Sequence, residues 1–381
     1  MKPQSIDVWL EQLGKPSADR DYLPGHERMH GLLEPFQLQS PKLRIRVAGT
    51  NGKGSTSFML ANALQACGLN VGLYTSPHIL EFNERIRINE QAISSDDLLM
   101  LLEQIMPHAL EVGASYFEVA TALALLYFSQ QQVDVEILEA GVGARLDATT
   151  SVVADMGLLT PIGLDHEAWL GSTLMEIAHE KSYVFHDCAY AISVEQTMDI
   201  NEFLKTTYPS IGFAKPFEKT LCLQGKHQKI NAGLASEAIQ TLLKNKLIMG
   251  DLNTCEQAIS HVCMVGRLQR ISYQQATIYL DAAHNRHAIE ALLTSLDAMP
   301  HPFDAILVYT REDRDLQDCF ELLKPFTAQL ISDRDSKHLN TCMPSVEEAL
   351  FQVLHHHAKA HILVLGSFLT VAASLRWIKM H

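Results

Sequence analysis

The sequence predicts an α/β protein with a mostly parallel, phosphate-loop-containing sheet domain, followed by a smaller Rossmann-like α/β domain. Three observations predict it. Residues 43–68 read as strand, glycine-rich turn and helix. Strand-like and helix-like segments then alternate, as they do when parallel strands are joined by crossover helices. Near residue 270 a second α/β pattern begins.

The elements follow in order. LRIRVA (43–48) alternates and carries β-branched residues, so it is a strand. STSFMLANALQACG has apolar residues at helical spacing and stops on Gly68. NVGLYTS is a second strand, and SSDDLLMLLEQIMPHAL opens with serine caps and acidic residues before turning helical. FEVATALALLYFSQQ is apolar enough to be a buried helix; VDVEILEAGVG and ADMGLLTPIG are strands ending in turns. Residues 183–222 carry weaker signals, with AYAISV a strand; NAGLASEAIQTLLKN is a helix. In the second pattern, RISYQ and ATIYLDAAH are strands and HAIEALLTSLDAM a helix. FDAILVYT, AQLISD and HILVLGS are further strands. The expected boundary lies at 265–270, dividing the chain into 1–266 and 267–381.

Composition bounds the function. The chain has 381 residues, 47% hydrophobic and 19% charged, enough apolar material for a sizeable core. A net charge of −14 and a pI of about 5.7 argue against broad nucleic-acid binding, which needs a basic face. No run of about 18 apolar residues occurs, so no membrane span is expected. MKPQSIDVWLEQLG has no apolar signal-peptide core. Seven cysteines without a C-x-x-C read as buried, reduced thiols in a cytoplasmic protein. The run His355-His356-His357 is read as the polar end of a helix ahead of HILVLGS rather than a metal tract.

The chemistry starts at VAGTNGKGS (47–55). A strand, a tight turn and a helix start aim backbone N–H groups at an anion, with the helix dipole in support. Gly49, Gly52 and Gly54 let the backbone turn and approach a ligand, and Lys53 adds a point charge for phosphate. Yet the common loop is G-x-x-x-x-G-K-[ST], and here Gly54 separates Lys53 from the hydroxyl of Ser55. Ser55 is a candidate ligand of magnesium or a phosphate oxygen. Further on, Glu139 ends an apolar strand, and Asp165 and His166 end the next. Carboxylate and imidazole at neighbouring strand ends suit a divalent cation, although magnesium usually takes carboxylates, phosphates and water.

With these residues in view, the chain resembles the Mur ligase superfamily, and within it the folylpolyglutamate synthase/dihydrofolate synthase family. GTNGKGS is that family's form of the phosphate loop. The resemblance continues through TSPHILEFNERI, YFEVATALALLYF, LEAGVGARLDATT, GLDHEAWLGSTLMEIAHEK, HQKINAGLA, VGRLQ, LDAAHN and LGSFLTV, in the family's order and over nearly the whole chain. It implies a Mur ligase central-domain-like first domain, with ATP and Mg2+ as cofactors. By the resemblance, Thr50, Asn51, Gly52, Lys53, Gly54 and Ser55 hold the ATP phosphates. Asn231, Arg267 and Asp281 also contact ATP. Ser76, Glu139 and His166 ligate magnesium. Lys181 matches a lysine that the family carbamylates, which turns a cation into an anion able to support the metal. Lys53, Lys181 and His284 form the implied catalytic set, with Asn285 completing D-x-A-H-N. Phe117, Leu146, Asp147 and Ala148 lie by the pterin-bearing substrate, and LPGHERM is similar to the family's substrate loop.

The chain departs from the family in several turns. GVGARLDATT stands for GLGGRLDATN, Val265 for a proline before Gly-Arg, and Arg286 for the proline after A-H-N. Ser182-Tyr183-Val184 replaces Ala-Gly-Ile, and REDRD stands where a lysine-aspartate motif is expected. The stretch between Lys181 and His227 is also short. The implied reaction is ATP-driven amide formation. A substrate carboxylate is phosphorylated, and the amine of L-glutamate displaces phosphate. The acceptor is dihydropteroate, a reduced folate, or both, in a cytoplasmic monomer without nucleic-acid or membrane partners. Two alternatives stay open: a Mur-type ligase with another carboxylate acceptor, and a nucleotide-binding regulator without ligase chemistry.

Overall fold

The computed structural model describes residues 6, 8, 9, 13, 25–296, 299, 302–311, 316–334, 339 and 341–381. Most of the MKPQSIDVWLEQLG segment, the first two residues of LPGHERM and residues 312–315 of REDRD therefore lie outside the described residues. The chain forms two compact units, 1–220 with 229–262, and 221–228 with 263–381.

The first unit holds β1 (Leu43–Ala48), β2 (Val71–Tyr74), β3 (Ile86–Ile88), β4 (Gln91–Ala92), β5 (Val135–Glu139), β6 (Met156–Leu159), β7 (Tyr190–Val194) and β8 (Gly212–Ala214). They make one sheet in the order β4-β3-β2-β5-β1-β6-β7-β8. β3 pairs antiparallel with both β2 and β4, and the other pairings are parallel. β1, β2, β5 and β6 are buried along their whole length, as strands covered on both faces must be. Within β1, Arg44 is tolerated because its Nε donates to Glu136 of β5 at 2.6 Å.

The helices of this unit are α1 (Glu27–Leu33), α2 (Lys53–Ala66), α3 (Ser95–Val112), α4 (Tyr116–Gln130), α5 (Glu167–Leu170), α6 (Leu174–Ser182), α7 (Met198–Thr207), α8 (Lys226–Lys244, which belongs to it from residue 229 on) and α9 (Leu252–His261). Caps set several of their starts. Ser94 accepts from Asp97 N, while Ser115 with Glu118 and Thr173 with Glu176 form reciprocal capping boxes. α4 is apolar on nearly every side, and its burial is correspondingly all-round. It packs with α1 and α3 in one core, in which Met29, Leu32, Leu102 and Leu123 are fully buried.

The second unit carries β9 (Gln269–Tyr273), β10 (Ala276–Leu280), β11 (Ala305–Val308), β12 (Leu330–Ser332), β13 (Thr341–Cys342) and β14 (His361–Leu365). The sheet order is β13-β12-β11-β14-β10-β9, parallel except for the β9–β10 hairpin. α10 (Arg286–Leu296), α11 (Phe320–Leu323), α12 (Val346–His356) and α13 (Phe368–Met380) complete it. His355 and His356 end α12 and His357 caps it, ahead of β14.

One expectation is corrected. Cys222 and Cys263 are joined as a disulfide, and Cys342 is exposed, so the cysteines are not uniformly buried, reduced thiols. The pair stands 41 positions apart in sequence, yet their Cα atoms are 6.0 Å apart, because both lie where the chain enters the second unit. Sequence spacing carries no signal for such a meeting. Among the described residues, no helix is long and apolar enough to cross a membrane.

Candidate active site

In open α/β sheets, ligands sit beyond the carboxyl ends of the strands, where the strand order reverses. Here the order reverses about β1, which has β5 on one side and β6 on the other. The loop after β1 takes its shape from two glycines. Gly49 (φ 141) and Gly52 (φ 90) lie in the region that favours glycine. A Cβ on Gly49 would collide with Thr160, and one on Gly52 with Asn231 of α8. The loop is therefore wedged between the end of β6 and the side of α8. Thr50 fastens it further: its N–H donates to Pro161 O at 2.9 Å and its Oγ1 to Gly163 O at 2.9 Å. Lys53, Gly54 and Ser55 form the first turn of α2, with Ser55 buried.

Two lysines converge on this loop. Lys53 Nζ donates to Gly49 O and Thr50 O, each at 3.2 Å. Lys181, on α6, reaches the same Gly49 O at 3.0 Å. Lys181 is only 1% exposed. Burial, and next the charge of Lys53, lower its pKa to about 7, against the pull of Asp165 and Asp147. Its amine is thus available in the neutral form at physiological pH.

The carboxylate of Glu139 ends β5 and is 4% exposed. It accepts from Ser76 N at 3.0 Å, and it is the nearest group to the point where a Cβ on Gly54 would stand, at 3.5 Å. Ser76 follows β2, the neighbour of β5. On the other side of β1, His166 sits in left-handed backbone (φ 53), with its N–H donating to Asp165 Oδ1 at 2.9 Å. Glu139 and His166 thus flank the loop from β5 and β6. No preformed group of three His, Cys, Asp or Glu able to hold a metal occurs among the described residues. The donor chemistry fits magnesium even so: a hard carboxylate and a serine beside a phosphate loop, with phosphate and water left to complete the shell.

Beyond β5 the chain turns through Gly141, and Phe117 at the start of α4 lies directly over that glycine. Asp147 is 2% exposed. It accepts from Gly141 N (2.9 Å), Val142 N (3.0 Å), Thr149 N (3.0 Å) and Thr149 Oγ1 (2.6 Å). Burial pushes its pKa up, against those four bonds. Its carboxylate is therefore a staple that folds the turn, and Leu146, half-buried, and Ala148, buried, are carried on it. Phe117, Leu146, Asp147 and Ala148 are brought together.

In the second unit, Asp281 accepts from Leu268 N and Ala283 N, both at 2.8 Å, tying the β9 lead-in to the turn after β10. His284 Nδ1 lies 2.8 Å from Ala282 O, which assigns the ring hydrogen to Nδ1. Asn285 Oδ1 accepts from Ala288 N and opens α10. The Arg267 guanidinium lies 4.9 Å over the Phe368 ring, and His284 is in tilted contact with the same ring at 6.2 Å. The motif LGSFLTV assigns no role to Phe368. An aromatic residue at a strand-to-helix turn was the available signal. His227, the first residue of HQKINAGLA, also carries no signal of its own in the sequence. It is half-buried, its Nδ1 is enclosed without a hydrogen-bond partner, and burial lowers its pKa.

No family model matches the chain. It is 31% identical over 341 residues to the dihydrofolate synthase/folylpolyglutamate synthase of Buchnera aphidicola subsp. Schizaphis graminum, covering 85% of this chain and 81% of that one. It is 32% identical over 323 residues to the Escherichia coli K12 protein of the same name, covering 78% and 70%. Among solved structures, E. coli FolC in complex with DHPP and ADP matches with a TM-score of 0.84 at 27% identity, covering 99% of this chain and 98% of that one. The bifunctional folylpolyglutamate synthase/dihydrofolate synthase from Yersinia pestis CO92 matches at 0.82 and 27%, with the same coverage.

Proposed function

The chain belongs to the dihydrofolate synthase/folylpolyglutamate synthase family, and from that premise we propose that it joins L-glutamate to dihydropteroate and to reduced folates at the expense of ATP. The observation that carries this reading is the meeting of Lys53 and Lys181 at Gly49 O, with Glu139 beside the start of α2. A cluster of two amines, one carboxylate and a glycine loop suits an encounter between a triphosphate and a carboxylate.

A carboxylate is a poor electrophile, so its oxygen first attacks the γ-phosphorus and ADP leaves. The amine of glutamate then adds to the acyl carbon of the resulting acyl phosphate. Phosphate departs with the C–O bond, and the amine loses its proton to give the amide. In this scheme Lys53 and the N–H groups of the loop offset charge between the two anions, in the manner of phosphoryl transfers dominated by positioning and electrostatics. Glu139, Ser76 and His166 would hold magnesium, which supplies Lewis-acid neutralisation of the phosphates. Lys181 deepens the reading. Its lowered pKa leaves a lone pair that adds to CO2, and loss of a proton yields a carbamate anion. That anion replaces the repulsion between two ammonium groups with attraction. Within the second unit, Arg267, Asp281 and His284 are the candidates for contact with the nucleotide.

The test is phosphate release from the purified protein with MgATP, L-glutamate and either dihydropteroate or tetrahydrofolate, with mass spectrometry of the product. A product one glutamyl residue heavier with both acceptors supports the bifunctional reading. Turnover with one acceptor limits it to that one. No turnover in protein that binds ATP moves the acceptor elsewhere among carboxylates.

A further inference from the structure

The short helix α1 has two kinds of face. Met29, Leu32 and Leu33 are buried in the core shared with α3 and α4, and these anchor it. Seven residues make too short a helix to persist alone, so such anchoring is required. Its polar side chains are not needed for that purpose, and they do not simply face water.

Residues four apart lie on one helix face, and residues two apart lie on nearly opposite sides. His26 and His30 share a face and reach the turn that follows Asp147. His26 Nε2 is 3.2 Å from Asp147 O and 3.2 Å from Thr150 Oγ1. His30 Nε2 is 3.3 Å from Ser151 O. Arg28 points the other way, to Glu118. Its Nε donates to Oε2 at 3.1 Å, and its Nη2 lies 3.1 Å from Oε1. Glu118 is 3% exposed, closes the capping box of α4, and follows Phe117 directly. One short helix is thus tied to both segments assigned to the acceptor.

The bonds to the turn have a definite sense. Thr150 Oγ1 has one hydrogen, directed to Ala144 O or Asp147 O, so toward His26 it accepts. Asp147 O also accepts. Both partners call for a hydrogen on Nε2 of a neutral His26, and burial holds that ring below the ordinary histidine range. Asp147 is then gripped twice, at its carboxylate by the turn itself and at its carbonyl by His26.

We propose that α1 is the frame of the acceptor site and that His26 is a positioning residue for the acceptor, acting through the 147–151 turn without touching the substrate. The inference rests on the reading that Phe117 and residues 146–148 line the acceptor pocket. By this proposal α1 sets the spacing between Phe117, beside the Arg28 partner Glu118, and the 146–148 segment held by His26.

Steady-state kinetics on the full chain test it, with dihydropteroate, tetrahydrofolate, ATP and glutamate each varied in turn for wild type, His26→Ala and His26→Gln. Loss of the Nε2–H donor is expected to raise the acceptor KM about tenfold, the effect of one hydrogen bond in a part-buried site. ATP and glutamate KM should stay within about twofold, with Tm lowered by no more than about 4 °C. His26→Gln keeps a planar N–H donor and should return most of the acceptor affinity. An unchanged acceptor KM in active His26→Ala overturns the inference, as does an equal rise in all three KM values with a lowered Tm. A wild type inactive with every folate acceptor overturns the functional reading, and this inference with it.

Discussion

Lys53 and Lys181 place two amines on one carbonyl oxygen, and each carries its own prediction. Lys53→Ala removes the charge nearest the phosphates. We expect turnover to fall at least about a hundredfold, as for loss of one preorganised transition-state donor. The melting temperature should hold, since Lys53 is only half-buried. Lys181 titrates differently. Its folded pKa is depressed to about 7 from 10.5, so between those values the unfolded chain binds a proton that the folded chain lacks. Stability therefore rises with pH across that window. Lys181→Met has nothing to titrate and should lose the rise, which urea melts at about pH 7 and pH 9.5 in CO2-free buffer will read. Single residues were the most legible part of the candidate site. Strand ends and glycine turns display their side chains in a fixed order, so Lys53, Glu139 and His166 stood out in the sequence. Thr160 and Asn231 did not stand out as the groups that wedge the loop, because a steric contact between remote segments leaves no local pattern.

At the level of elements, the loop after β1 works because nothing larger than hydrogen fits at two of its turns. Gly52→Ala adds a Cβ at φ 90, against Asn231. We expect a loss of about 1–3 kcal/mol in stability from the strained backbone. ADP affinity should weaken as well, by calorimetry. Ser115→Ala, in the capping box of α4, should lower stability by about 1 kcal/mol. Its binding of ADP should be unaffected, which separates a defect in a helix from one in the loop. Alternation made β1 readable and amphipathic spacing α3, while α2 and α4 showed as apolar runs long enough for helices. The stretch 183–222 was harder, and it holds the short β7, α7 and β8 joined by brief turns. Segments of three to ten residues supply too few periods to distinguish a helix from a strand.

For the whole molecule, the sequence displayed two α/β patterns, but nothing in it marks the short excursion of 221–228 into the second unit. An eight-residue segment has no periodicity of its own, and only its contacts assign it. The Cys222–Cys263 disulfide joins that excursion to the chain's final entry into the same unit, closing a loop of separation 41. The double variant Cys222→Ser/Cys263→Ser should lower the stability of the second unit by about 2–4 kcal/mol, read by urea unfolding without reductant. The same path of the chain has a consequence for synthesis. All eight strands of the first sheet have left the ribosome once residue 214 has, but Asn231, which walls the phosphate loop, follows only after the detour. A nascent chain ending at 220 would own a complete sheet with an unwalled nucleotide loop. One ending at 262 would own the wall as well. Translation therefore passes through a stage at which the sheet precedes the wall of its phosphate loop.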